Sequence, residues 1–279
     1  EVGADLWHMW HYHGPYGMRH PDPEYRLGFF MKALPMWTPG RDDAVSNLGV
    51  TDAEGQPSQQ RAVVEIPWIL VDQDGRRFMD EYPPYMSDTG VRPFDTFDPV
   101  KQRYPRLPAF ALLDEPGRKR IPIGRAVAND LDHRYRWSGD NSAEIELGIL
   151  KQASTIAALA ERIGVPAAAL ERTVAAWNDA CARGEDDAFG RRDDTMVPIV
   201  TPPFLAAEVW PMVINTQGGP VHDSRQRVLN PFGEPILGLY AAGELGSVFG
   251  HIYLAGGNLA ECVVGGRIAG REAARLADH

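Results

Sequence analysis

The segment Gly238–Gly270, GLYAAGELGSVFGHIYLAGGNLAECVVGGRIAG, constrains this chain more than any other. Its first part, Leu239-Tyr240-Ala241-Ala242-Gly243-Glu244, reads as a strand ending in small side chains. Small residues at the C-terminal edge of a strand let a flat or polar ligand approach, and in open α/β sheets ligands bind at that edge. Glu244 then stands where its carboxylate can accept hydrogen bonds from ligand hydroxyls; a plain turn with a solvated glutamate would use the same six residues. The second part, Gly256-Gly257-Asn258, opens a helix expected to run from about Asn258 to Leu276, with Ala260, Gly265, Gly266, Ala269, Gly270 and Ala273 along it. Such small side chains let a helix lie close on a sheet.

A helix N-terminus offers unpaired N–H groups and a partial positive charge. Glycines just ahead of it let a ligand lie against the backbone. The electron-rich edge of a flavin ring suits that position, because it becomes anionic on reduction and the helix dipole stabilises the anion. A close-packed structural helix is the alternative reading of the same residues.

Composition narrows the classes. The 279 residues fill one large domain or two of ordinary size, and 44% apolar with 24% charged residues describes a globular core. A net charge of -10 argues against nucleic acid, whose phosphates need a basic face, and against a polybasic membrane anchor. No apolar run approaches the roughly 20 residues of a membrane span. Cys181 and Cys262 are too few for a disulfide framework, which points to a reducing, cytoplasmic setting. The opening EVGADLWHMW is not Met-led and reads as the end of a helix running into a strand, so a fragment is expected.

Along the chain, residues 35–61 are turn-rich and read as loop. The β-branched run Val63–Val71 stops at Asp72-Gln73-Asp74-Gly75 and resumes at Arg76-Arg77-Phe78, a hairpin signal. Residues 81–142 are punctuated by proline, with a short strand at Phe110–Leu113. Ile156, Leu159, Ala160 and Ile163 recur at helical spacing after Ser154 or Thr155 as cap and before Gly164. Leu170, Val174, Trp177 and Cys181 line a second helix that Gly184 stops. Both helices are expected to pack on a sheet. Asp186–Arg191 reads as a charged turn; Glu208–Ile214, Val228-Leu229 and Leu237–Ala242 read as strands, with a turn at Asn230–Gly233.

These landmarks, in this order, resemble the fumarate reductase/succinate dehydrogenase flavoprotein-like superfamily of FAD-binding oxidoreductases, which includes the 3-ketosteroid dehydrogenases. Ile69–Phe78 resembles its LVN-x-x-G-x-RF hairpin and Thr155–Leu159 its following helix. Trp177-Asn178 through Gly184 and Asp187–Arg191 resemble its WN…G.D..FGR stretch. Pro203-Phe204, Thr216-Gln217-Gly218-Gly219 and Gly238–Gly270 continue the match.

The resemblance implies an α/β plus α+β fold: a partial FAD-binding, Rossmann-like domain with an inserted substrate-capping domain. The expected boundaries are 1–60 for a remnant of the FAD-binding domain and junction, 61–205 for the cap, and 206–279 for the last FAD segment. FAD is the implied cofactor, held by Gly243, Glu244, Gly256, Asn258 and Leu259. The family's Gly-x-Gly-x-x-Gly turn, which binds the FAD pyrophosphate, does not occur in these residues, so a missing N-terminal half is expected to carry those contacts, and the apolar sheet surface left exposed invites a partner chain or a homo-oligomer.

The resemblance also bears on substrate. Fumarate reductases carry HTMGG and HG-x-NR-x-GGNS, whose His and Arg bind carboxylate. Here Asn215 and Tyr253 take those places. The 3-ketosteroid dehydrogenases carry TYPGAG, whose Tyr hydroxyl and Gly N–H polarise a ketone; Tyr253-Leu254-Ala255-Gly256-Gly257 resembles it, with Leu-Ala for Pro-Gly. The implied reaction is hydride transfer to or from flavin at a C–C bond next to the carbonyl of a small molecule, with Tyr253 and Gly257 on its oxygen. His251, two residues earlier, is the candidate proton relay. A fumarate- or enoate-type reductase and a non-catalytic truncated chain are the alternatives.

Gly218, Gly219, Tyr12 and His13 are the expected substrate-side residues. Tyr16 and Tyr85 are further candidates for the acid or base. His8, His11 and His13 form H-x-x-H-x-H, but no cysteine or carboxylate cluster completes a metal site, so the aromatic N-terminus reads as a cavity wall and no metal is expected.

Overall fold

A computed structural model of the chain describes residues 2–35, 37, 66–84, 91–127, 130–132, 134–249 and 256–277, with residues 10–13 and 277 by backbone alone. In chain order the strands are β1 (Leu6–His13), β2 (Tyr16–Met18), β3 (Phe29–Met31), β4 (Ile69–Val71), β5 (Ala109–Leu113), β6 (Gly124–Ala126), β7 (Leu150–Ala153), β8 (Phe204–Pro211), β9 (Asn215–Pro220), β10 (Arg227–Leu229) and β11 (Pro235–Tyr240). The α-helices are α1 (Glu115–Arg120), α2 (Ser142–Glu146), α3 (Ile156–Ile163), α4 (Ala167–Arg183) and α5 (Gly257–Ala277). The expected mixed α/β character is therefore met. The chain folds into two compact units: one is Pro15–Met212, and the other joins the chain up to Gly14 with the chain from Val213 onward.

In the Pro15–Met212 unit a sheet runs β4-β5-β8-β2-β3-β6, with β7 also on β8, and every pairing is antiparallel. β8 is its centre. Val209 to Leu205 pair with Ala109 to Leu113, Ala207 to Phe204 pair with Leu150 to Ala153, and Pro211 and Trp210 pair with Tyr16 and Gly17. The sequence places this strand at 208–214; the structure starts it at Phe204. Leu-Ala-Ala has little strand propensity, but Leu205, Ala206 and Ala207 are fully buried between neighbours, and packing outweighs propensity. Pro211, with no N–H to give the ladder, ends it.

The two amphipathic helices lie on this sheet as expected. Thr155 Oγ accepts the N–H of Ala158 at 3.1 Å, and Gly164 closes α3 at φ +76°. Leu159, Leu170, Val174 and Trp177 bury against Ile69, Val71 and Phe110. Cys181 sits half-buried beside this core, and burial pushes its thiol up to about 11, so it is a packing residue rather than a nucleophile. The Asp72–Gly75 turn forms with Gly75 at φ +72°, and its arms meet where Val71 bridges Arg77.

The Asp186–Arg191 stretch forms the expected charged turn, closed by Gly190 N–H on Asp186 O at 2.8 Å, and its last residue is buried. Arg191 is fully buried and donates to the carbonyls of Ile66, Trp68 and Thr195 and to Glu81 Oε2 at 3.1 Å. Glu81, also fully buried, takes a bidentate pair from Arg77 at 2.9 and 2.7 Å and the N–H of Leu70 at 2.9 Å. Arg77 reaches Asp186 at 2.8 Å, and both guanidiniums stand over Trp177, at 4.5 and 4.8 Å. The charges are tolerable there because each lies opposite a partner and its donors are taken.

In the other unit, β1 pairs antiparallel with β9 and β10 with β11, and α5 follows. Residues 2–5 form no regular structure, so no helix precedes β1 among the described residues. Among the described residues no helix is long and apolar enough to cross a membrane.

Candidate functional site

The expected cofactor residues gather where β9, the turn after β11 and the start of α5 meet. Glycine makes the approach possible. Gly218, at φ +106°, faces the backbone of His8 in the β1 bulge, and a Cβ there would run into the His8 carbonyl. Gly219, at φ +134°, leaves only 3.0 Å from its would-be Cβ to the Gly246 nitrogen. Gly246 N–H donates back to Gly218 O at 2.9 Å, tying the turn to β9.

The same turn is fastened to the helix. The buried Ser247 hydroxyl donates to Glu261 Oε2 at 2.8 Å, and Val248 N–H donates to Glu261 Oε1 at 2.7 Å. His222 Nε2 donates to Gly246 O at 2.9 Å. Gly243, at φ +76°, sits against α5, where a Cβ would come within 2.9 Å of Cys262 Sγ. Gly265 does the same from the helix side, with Ala242 Cβ 3.2 Å from its would-be Cβ. Gly266 and Gly270 meet nothing within 4 Å. The small-residue helix is thus close-packed at Gly265 and open at Gly266 and Gly270, and Val263 and Val264 on it are exposed.

Glu244 is the hub. Its Oε1 accepts from Asn215 Nδ2 at 2.6 Å and from Asn258 Nδ2 at 2.8 Å, while its Oε2 takes no hydrogen bond among the described residues. Three expected landmarks are brought together here: the Asn that opens β9, the Glu after the strand, and the Asn in the first turn of α5. Asn215 Oδ1 is buried without a partner. Gly256, at φ +80°, has open space where a Cβ would stand, and Gly257 begins the helix. Leu259, 67% exposed, lies in the same first turn.

Tyr12 and His13 lie on β1 with their backbones opposite Thr216 and Asn215, alongside Gly218 and Gly219 on β9. Tyr253, His251 and Tyr85 lie outside the described residues. Tyr16 is buried against Phe94 in the Pro15–Met212 unit, its hydroxyl pushed far above the ordinary range by burial, which unsuits it to proton transfer. The sequence reading noted Asn215 only as a replacement for a carboxylate-binding His, and it missed Ser247, His222 and the fastening role of Glu261. Among the described residues no group of three His, Cys, Asp or Glu side chains is placed to hold a metal.

These groups fit an FAD: two acceptors, the Glu244 carboxylate and the orphaned buried amide oxygen of Asn215, and the donor N–H groups of a glycine-opened helix start.

Comparison with known proteins agrees. The family model described as "FAD binding domain" matches residues 47–259. The chain is 40% identical over 210 residues to NADH:acrylate oxidoreductase of Vibrio harveyi, covering 75% of this chain and 19% of that protein. It is 32% identical over 263 residues to 4-oxocyclohex-2-ene-1-carboxylate 5-dehydrogenase of Sinomonas cyclohexanicum, covering 85% and 42%. In fold it is similar to 3-ketosteroid delta1-dehydrogenase from Sterolibacterium denitrificans, with a TM-score of 0.66 and 23% identity over 99% of this chain and 45% of that one. The chain spans between 19% and 42% of the length of these curated relatives. With most of its residues inside that family match, the chain belongs to the FAD binding domain family of the fumarate reductase and 3-ketosteroid dehydrogenase flavoproteins.

Proposed function

We propose that the chain is part of an FAD-dependent oxidoreductase that dehydrogenates or reduces a C–C bond adjacent to a carbonyl of a small molecule. The observation that carries this reading is the meeting of Glu244, Asn215 and Asn258 beside the glycine-opened start of α5. In this proposal the unit made by the chain up to Gly14 and from Val213 onward belongs to the FAD-binding domain, and the Pro15–Met212 unit, which holds the expected 61–205 segment, is the substrate-capping domain. The relatives support the reaction class, since they include an acrylate oxidoreductase and an oxocyclohexene carboxylate dehydrogenase.

Gly243, Glu244, Gly256, Asn258 and Leu259 hold the cofactor. Glu244 Oε2 would accept from a cofactor hydroxyl, Gly243 keeps the turn close to α5, and the first N–H groups of α5 would stabilise negative charge on the ring. When bound, FAD supplies the hydride acceptor for dehydrogenation or the hydride donor for reduction. The protein's part is at the substrate. The Tyr253 hydroxyl and the Gly257 N–H donate to the carbonyl oxygen, which stabilises negative charge there and acidifies the neighbouring C–H. His251 passes the proton, and Gly218, Gly219, Tyr12 and His13 supply the flat wall.

The test is the visible spectrum of the purified chain with added FAD, followed by titration of Glu244→Ala. A perturbed flavin spectrum is expected, with affinity falling about tenfold or more in the variant, the size of a lost hydrogen bond to a charged group. A parent chain that leaves free FAD unperturbed would remove cofactor binding from these residues alone. An enoate-type reductase is the second reading, favoured by the acrylate relative; acrylate oxidising the reduced, FAD-loaded chain would select it. The exposed line of Leu259, Val263 and Val264 on α5 supports a third, a chain that works only against a partner or a second copy, tested by its mass in solution.

A further inference from the structure

A cavity lined only by residues of the Pro15–Met212 unit owes nothing to the FAD reading. The connection from β2 to β3 folds back over the end of β8 and encloses about 540 Å³, within the range of small-molecule sites. Gly28 makes the return possible: it sits at φ +71°, and a Cβ there would stand 2.6 Å from Met18 O.

Two side-chain donors on residues that line this cavity lack an acceptor. Trp210 lines it, and its indole Nε1, a donor only, is buried without a partner. His20 lines it too. Its Nδ1 accepts the N–H of Asp22 at 3.0 Å, which leaves the ring proton on Nε2, and that nitrogen is also buried without a partner. Burial holds His20 below the ordinary imidazole range, so the ring stays neutral with that single donor. Arg19 stands 4.0 Å over the Trp210 ring, Arg26 lies on the same wall, and neither forms an ion pair among the described residues. The carboxylate that also lines the cavity, Asp22, is already engaged by the N–H of Glu24 and the hydroxyl of Tyr135, both at 2.9 Å, with Arg134 at 3.8 Å. Leu107 and Met212 supply apolar wall.

Two buried donors without acceptors, beside two unpaired cations, call for a guest that brings acceptor oxygens and negative charge. We propose that this cavity binds a small organic anion, its carboxylate or phosphate oxygens accepting from Trp210 Nε1 and His20 Nε2 near Arg19 and Arg26, its apolar body against Leu107 and Met212.

The test follows the Trp210 indole N–H by nuclear magnetic resonance in the ¹⁵N-labelled chain, the signal assigned as the one lost in Trp210→Phe. Benzoate, phenyl phosphate and benzyl alcohol are the probes. A saturable shift with either anion and none with the alcohol is expected, and which anion binds more tightly identifies the head group. Arg19→Gln, at an exposed position, should weaken that anion about tenfold while leaving the rest of the spectrum in place. A Trp210 signal that stays put at roughly 20 mM of both anions, well above the millimolar affinity of a weak small-ligand site, overturns the proposal. So does an equal response to the alcohol, or an Arg19→Gln variant that binds as the parent does.

Discussion

Asp80 gives a sharp test of the buried charge cluster. It sits next in sequence to Glu81, whose carboxylate is committed to Arg77 and Arg191, and its Oδ1 accepts the N–H of Tyr82 at 2.7 Å. Burial is the largest influence on it and Glu81 adds repulsion; the Tyr82 N–H, Arg191 and Arg77 offset only part, so its carboxyl is pushed from 3.8 up to about 6. A carboxyl raised in the folded state stabilises the fold only while protonated. Below about pH 4 both states are protonated and nothing is lost. Between about pH 4 and 6 the unfolded chain ionises first, and above pH 6 the folded state carries a cost of about 3 kcal/mol. Asp80→Asn keeps the oxygen that faces Tyr82 and removes the titration. Urea unfolding should therefore find parent and variant equal near pH 4, with the variant more stable by about 2–3 kcal/mol near pH 7.5. An equal difference at both pH values, or a variant less stable at pH 7.5, would refute the reasoning.

Removing Glu81 should act the other way: Glu81→Ala strands two buried guanidiniums and should cost about 3–5 kcal/mol, roughly 6–20 °C in Tm for a unit of this size, whereas Asp187→Ala at the exposed Arg183 pair should cost under about 1 kcal/mol. Two glycines of the last segment should separate in sign. Gly243→Ala meets both positive φ and Cys262 Sγ and should destabilise by about 1–3 kcal/mol, while Gly266→Ala, mid-helix in open space, should stabilise by about 0.5–1 kcal/mol; thermal unfolding of each reads the difference. In the FAD-loaded protein, Tyr253→Phe should lower turnover of a carbonyl substrate at least tenfold with flavin content unchanged, and full activity would take Tyr253 out of the reaction.

What the sequence could announce was local. The Thr155 cap, the Gly164 and Gly184 stops and the apolar spacing of α3 and α4 each depend on a few neighbouring residues, and each stands where the spacing puts it. Glu244 and Asn258 were legible as a pair because both flank a strand-to-helix motif with its own signature. The rest depended on distance along the chain. Nothing near Asp80-Glu81 announces that the glutamate will meet Arg191, whose own surroundings read only as a charged turn. The start of β8 was hidden because alanines became strand through what covers them. His20 and Trp210 share a cavity only because β2 pairs with the end of β8.

The place of β8 in its sheet has a consequence for how the protein is made. It is the last strand of its unit to leave the ribosome, yet β2, β5 and β7 all bond to it. Until Phe204–Pro211 emerges, these three strands have bare edges, and at roughly 5–20 residues per second the interval from Leu113 to Phe204 lasts on the order of 5–20 s. Closure by long-range pairing is also intrinsically slow. During translation the nascent chain therefore presents unpaired, apolar strand edges such as Ala109–Leu113, sites that a chaperone can hold or a neighbouring nascent chain can capture.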